Sequence, residues 1–138
     1  MTQATITQAR SALATQLATI DGLRTASTRA AQITPPMAVV MPGQGTFIRY
    51  KTTLSGSADL VFRIVLLLAA ADSSIGQDAM DPYLATSGDQ SILAAVQADD
   101  TLGGVVEYAE VMDATGYGLI NWNGVDYLGC SFTVVAGI

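Results

Sequence analysis

Apolar residues recur along this chain with two different periods, and each period predicts a kind of element. From Thr5 to Ile20, the residues Ile6, Ala9, Leu13, Leu17 and Ile20 fall at three- and four-residue spacing, which is one face of a helix. Thr5 and Gln8 stand at capping-box spacing, Gly22 is placed for a left-handed cap, and Arg24 follows near the negative end of the helix dipole. Thr25 to Gln32 is small and polar and Pro35-Pro36 enforces extended backbone, so this stretch is predicted to be a connection. Met37 to Met41 is apolar and β-branched, and Pro42-Gly43-Gln44-Gly45 forms a loop. Thr46 to Thr53 then alternates as a strand, with Phe47, Arg49 and Lys51 on one side and Ile48 and Tyr50 on the other. Leu60 to Ala70 is apolar at both parities except at Arg63. That pattern, rich in β-branched and aromatic residues and preceded by no cap, predicts a central strand covered on both faces rather than a buried helix.

A helical section follows. Ser74 and Gln77 repeat the capping-box spacing, Asp81 is placed to cap a fresh turn with Pro82 at its first position, and Asp89 or Ser91 starts a short helix through Ile92, Leu93 and Val96. Two strands end the chain, Val105 to Met112 and Tyr127 to Ala136. In the second, Leu128, Cys130, Phe132 and Val134 share a face. Between them, Ala114 to Gly118 and Asn121 to Gly124 are rich in turn residues. The resulting class is α+β: one domain over 1–138, a mainly antiparallel sheet of four to five strands, with an N-terminal helix and a helical insert packed against it.

Composition narrows the function. Half of the 138 residues are hydrophobic and 13% are charged, enough apolar surface for a substantial core. Twelve acidic against six basic residues give a net charge of −6, and no basic stripe exists to neutralise phosphates, which argues against tight nucleic-acid binding. There is no histidine, so Ser-His triads and imidazole metal sites are excluded, and a single cysteine excludes an internal disulfide and a thiolate zinc cluster. The longest apolar run, Val61 to Ala71, falls short of the ~20 residues of a membrane span, and Met1 to Arg10 lacks the pattern of a signal peptide. Synthesis in the cytosol without membrane association is the expectation.

Individual motifs carry little chemistry. Asp99-Asp100 reads as a solvated turn before it reads as a cation site, because successive side chains diverge. Asp72, Asp78 and Asp81 match no calcium loop. Pro42 to Gly45 lacks the Lys-Ser/Thr of a phosphate loop, Gly103-Gly104 has no second half of a nucleotide fingerprint, and Cys130 lies on an apolar strand face with no histidine to activate it. No catalytic, metal or cofactor residue is therefore assigned. Tyr117, Leu119, Ile120 and Trp122 fall in a turn-rich segment, where the open alternatives are an exposed interface and tucking back onto the core.

Leu17 to Arg24, Met37 to Pro42, Gln77, Asp81 to Leu84, Ser91-Ile92 with Ala95-Val96, Thr101 to Gly104, and Tyr127 to Gly129 follow one another in a recognisable order. In these residues the chain resembles the tail terminator proteins of long-tailed bacteriophages, particularly those whose hosts are actinobacteria. The residues concerned are capping, turn and core residues, and they span nearly the whole chain. The resemblance implies a virion protein assembled in the host cytoplasm. It would form a hexameric ring at the head-proximal end of the tail tube, ending tube polymerisation and docking the tail on the head connector. Its partners would be further copies of itself, the tail tube protein and a connector or stopper protein, with DNA passing through the lumen without tight binding. On that reading Asp89, Asp99 and Asp100 are the candidates for acids facing the lumen, where they would repel phosphates. Arg49, Lys51 and Arg63, clustered by the predicted strand pairing, would meet acidic groups of neighbouring subunits, and Tyr117 and Trp122 are the aromatic interface candidates. A head-tail stopper or adaptor is the alternative within the virion, a tail tube protein comes third, and a small ligand-binding or enzymatic α+β domain is the alternative of a different class.

Overall fold

The computed structural model describes residues 6–27, 32–43, 45, 47–50, 58–70 and 77–138. Helix α1 (Ile6–Leu17) buries Ala9, Leu13, Ala14 and Leu17, the face that the spacing predicts. The chain leaves it through two tight turns that also bury Ile20, and Gly22 takes the left-handed conformation at φ +81°. Thr5 and Ser74, and with them both predicted capping boxes, lie outside the described residues.

The segment predicted to be only a connection contains a strand, β1 (Arg24–Ala26), which pairs in parallel with β2 (Met37–Pro42). Three residues are too few to show a period, and their pairing is fixed by the partner strand instead. Strand β3 (Ile48–Tyr50) forms the described part of the predicted Thr46 to Thr53 strand and lies against the start of β4 (Ala58–Ala70). Helix α2 (Gln77–Leu84) runs through Pro82, which thus stands inside the helix instead of opening a fresh turn after Asp81. Burying Met80 and Tyr83, three residues apart on one face, outweighs the single hydrogen bond that proline removes near the helix end. Ser91, buried, caps α3 (Ile92–Ala98): its hydroxyl accepts from the Ala94 amide at 3.0 Å and donates to the Ala85 carbonyl at 2.5 Å.

The largest departure from the sequence reading is at the C-terminal end. The turn-rich stretch between the two predicted strands is itself strand, so β5 (Tyr108–Trp122) and β6 (Val125–Gly137) form one long hairpin. Its only turn is the pair Asn123-Gly124, with φ of 53° and 84°, as a two-residue hairpin of the primed type requires. Gly116 and Gly118 belong to an irregularity within the ladder, where the register shifts between Thr115 and Gly118.

The six strands form one sheet in the order β1-β2-β4-β6-β5, with β3 also on β4. All described pairings except β1 with β2 are antiparallel. Strand β4 is therefore central, as its two-faced apolar pattern predicts. Its even-numbered residues Leu60, Phe62, Ile64, Leu66 and Leu68 join α1, α2 and α3 in the main core, together with Cys130, Phe132 and Val134 of β6. On the opposite face Val65 and Leu67 join Met37, Val39 and Trp122 in a second, smaller cluster. The fold is α+β with one strand more than the largest expected number. Among the described residues no helix is long and apolar enough to cross a membrane.

Candidate functional site

The three acids proposed to face a lumen stand at opposite ends of one helix. Asp89 precedes α3 and lines a cavity of about 380 Å3 with Asp21, whereas Asp99 and Asp100 follow α3. Seven helical residues put roughly 10 Å between the two ends. Asp99 spends its carboxylate inside its own turn, accepting the Thr101 hydroxyl and the Gly103 amide, each at 2.9 Å. Of the adjacent pair, Asp100 alone is exposed. Asp81 is exposed within α2 rather than capping it, and Asp72 lies outside the described residues. Among the described residues, no three of the His, Cys, Asp and Glu side chains gather as metal ligands.

The basic residues are dispersed too. Arg49 is exposed on β3 directly opposite Asp59 of β4, so the two side chains share the sheet face that looks away from the helices. Arg63 is on that same face four residues along β4, roughly 13 Å away. Arg49 and Arg63 are thus not one cluster, and Lys51 lies outside the described residues.

Asp59 accepts the Tyr108 hydroxyl at 2.6 Å. Tyr108, Gly137 and Asp59 occupy one row across three strands. The missing side chain at Gly137 leaves the room in which the Tyr108 ring crosses β6, since a β-carbon there would strike that ring. The Asp59 hydrogen bond, followed by burial and the nearby charges of Asp59, Glu110 and Glu107, pushes the Tyr108 phenol up to about 12 from its ordinary 10.0. A raised folded-state pKa on an acid contributes stability that is complete below pH 10 and is lost as pH rises through about 12. We expect Tyr108→Phe to lower stability by about 1 kcal/mol at neutral pH. The gap between wild type and variant should narrow between pH 10 and 12, read from urea midpoints across that range. A gap that stays constant over the window would mean that Asp59 does not hold the phenol protonated.

A further concavity lies on the same sheet face. The hairpin coils so that the β5 segment Thr115 to Trp122 stands beside β4 and β2, enclosing a cleft of about 470 Å3. Arg63 and Val65 of β4, Met41 of β2 and Ser131 of β6 line it together with Ile120, Asn121 and Trp122. The Nε of Arg63, like that of Arg10 on α1, is buried and has no hydrogen-bond partner among the described residues. Arg63 as a whole is only partly buried and is among the lining residues, so the cleft presents a guanidinium to an incoming acceptor. Chemically it offers one permanently charged planar donor, hydroxyl groups at Thr115 and Ser131, and apolar surface beside them.

Two interface candidates separate here. Trp122 is tucked back onto the sheet at 7% exposure, within the second cluster, while Tyr117 on β5 remains 40% exposed. Trp122 therefore shapes the cleft instead of presenting its ring to solvent. Cys130 is buried on the helix-facing side, where desolvation pushes its thiol up and away from nucleophilic thiolate. The sequence reading missed Met41, Thr115 and Ser131 as companions of Arg63. Strand parity places Arg63 and Val65 on one face, but the companions come from strands whose order no local pattern reveals. No family model matches the chain, and no curated protein matches it either.

Proposed function

We propose that this chain is a structural virion protein of the tail terminator kind, forming a hexameric ring at the head-proximal end of a phage tail tube. There it would stop tube growth and dock the tail on the head connector. The resemblance of the capping, turn and core segments supports this reading. The structural observation that carries it furthest is the outer edge of the sheet. Strand β5, of 15 residues, is the terminal strand of the order and exposes Met112 at 57% and Leu119 at 66%, beside Tyr117. A long edge strand with exposed apolar side chains is a hazard for a lone subunit and a ready surface for assembly. The two register irregularities and the acids Glu110 and Asp113 restrain indiscriminate pairing along it.

The direct experiment is a null mutant. Heads filled with DNA but free of tails, beside overlong or unfinished tubes, are the expected outcome, and normal-length tails joined to heads would overturn the assignment. Tubes of correct length that fail to join would favour a stopper or adaptor. The Arg63 cleft favours a second reading, a small ligand-binding domain, for which a strictly monomeric particle mass would speak.

Within the ring reading, Asp100 is the acid suited to a lumen test, because Asp99 is committed to its turn. Asp100→Lys should leave assembly intact and slow DNA ejection several-fold near 10 mM salt, where the screening length is about 30 Å. Unchanged low-salt ejection from particles containing the variant would remove Asp100 from the channel wall.

A further inference from the structure

We infer that the Arg63 cleft is a socket for a carboxylate side chain of a second copy of this chain. The inference rests on the ring reading and deepens it by naming one of the contacts that would join the copies. Three observations carry it. Arg63 is the single charge in the apolar run of the central strand, it is only partly buried, and it lines the cleft. Set among Met41, Val65 and Trp122, the accessible part of the guanidinium gains more from a charged acceptor than it would in open water, and a carboxylate entering the cleft supplies one. The cleft is open to the surface, and Thr115 and Ser131 at its lining offer hydroxyl donors for the second oxygen of an incoming carboxylate.

The occupant follows from charge and surroundings. The chain carries twelve acids against six bases, so every further copy presents carboxylates in excess. Leu119, exposed on the strand that walls the cleft, forms with Ile120 and Met41 an apolar rim beside Arg63 and Trp122, two residue types enriched where interfaces bind most strongly. A free small carboxylate would gain from Arg63 but would leave that rim in water. In a head-to-tail ring two different surfaces of the same chain meet, so a cation in a cleft on one copy and an acid on the next is the form such a contact takes.

The test converts the contact into a bond. The native chain has one lysine, Lys51, so Arg63→Lys introduces a single new amine while keeping the charge. A zero-length carbodiimide joins an amine to a carboxylate only where the two are in contact. Treating an assembled mixture of unlabelled and nitrogen-15-labelled Arg63→Lys protein should give a new isopeptide between position 63 and an Asp or Glu, absent from wild type. Mixed labelling should show that it bridges two copies. In parallel, Arg63→Gln, checked for native circular dichroism, should raise the concentration for half-assembly about ten- to a hundredfold. An assembled oligomer with no link at position 63, or a link confined to one copy, would overturn the socket while leaving the ring reading in place. A protein that stays monomeric at every concentration, and on tails, would overturn the ring reading and the socket with it.

Discussion

Ile64→Asp is expected to abolish folding, delivering the protein to the insoluble fraction or leaving it without a cooperative melt. Ile64 is at the centre of β4, fully buried, flanked by Val40 on β2 and Phe132 on β6 in the two ladders that hold the sheet together. Its side chain faces the helices, in the cluster that contains Leu13, Leu17 and Met80. A carboxylate there has neither water nor a cation. Ionised, it costs several kcal/mol; protonated, it still lacks the apolar contacts of isoleucine and carries unmatched polar atoms. Domains of this size are stable by about 5–15 kcal/mol in all, so one such site consumes most of the margin. Ile64→Val at the same position removes one methylene and should cost only about 0.5–1.5 kcal/mol, giving a folded control. Soluble Ile64→Asp protein with the circular dichroism and melting temperature of wild type would remove β4 from the centre of the fold.

That β4 is central was legible because burial on both faces leaves a trace at both parities, and Leu60 to Ala70 shows it without a structure. The first helix was legible for the matching reason, since Ala9, Leu13 and Leu17 repeat the period of the face they bury. Ser91 could be read, with Asp89, as a candidate cap because capping an amide three residues away is a local role, whereas its second bond to the Ala85 carbonyl left no such trace. Where local composition and long-range pairing disagree, the pairing wins. Thr115 to Gly124 has the glycine and asparagine content of a loop, yet twelve registered pairs along β6 hold β5 extended through Trp122. Arg24 to Ala26 has no strand signal at all and becomes β1 because Met37 to Val39 offers it a ladder.

The candidate site divides in the same way. Arg63 stood out as the one charge inside an apolar run, and that oddity marks the cleft. Asp99-Asp100 stood out as a doublet, but one member serves its own turn. Strand pairing read from the sequence puts Arg49 and Arg63 in one cluster. The pairing of β3 with β4 is present, yet four residues of β4 separate the positions, and only the register reveals that distance. The cleft itself could not be read, because it depends on the coil of the hairpin over the sheet.

That coil turns on Gly129, and Gly129→Ala should be the most damaging change that adds a single carbon. Gly129 is buried opposite Leu67 on β4 and Gly118 on β5, at the point where the β4–β6 register shifts between Leu67 and Ala69. A β-carbon built there runs into the backbone carbonyl of Leu66 and comes within 2.9 Å of Cδ1 of Ile120. Isoleucine can rotate away, but the carbonyl belongs to the central strand and moves only if the strands part. Overpacking of this kind costs about 1–3 kcal/mol, and the rigidity of the obstacle puts Gly129→Ala at the upper end. For a chain of this length that corresponds to a fall in melting temperature of roughly 10 °C. The displacement is directional, because Ile120 and Trp122 lie on the stretch of β5 that the added carbon pushes. Trp122 is the only tryptophan in the chain, so its emission reports on the cleft alone. The folded variant should show that emission shifted to longer wavelength as the ring loses its packing against Val65 and Leu67, together with a weakened response of any Arg63-dependent assembly. Unchanged melting and unchanged tryptophan emission in Gly129→Ala would mean that the hairpin reaches over the sheet without needing the close approach at Leu66.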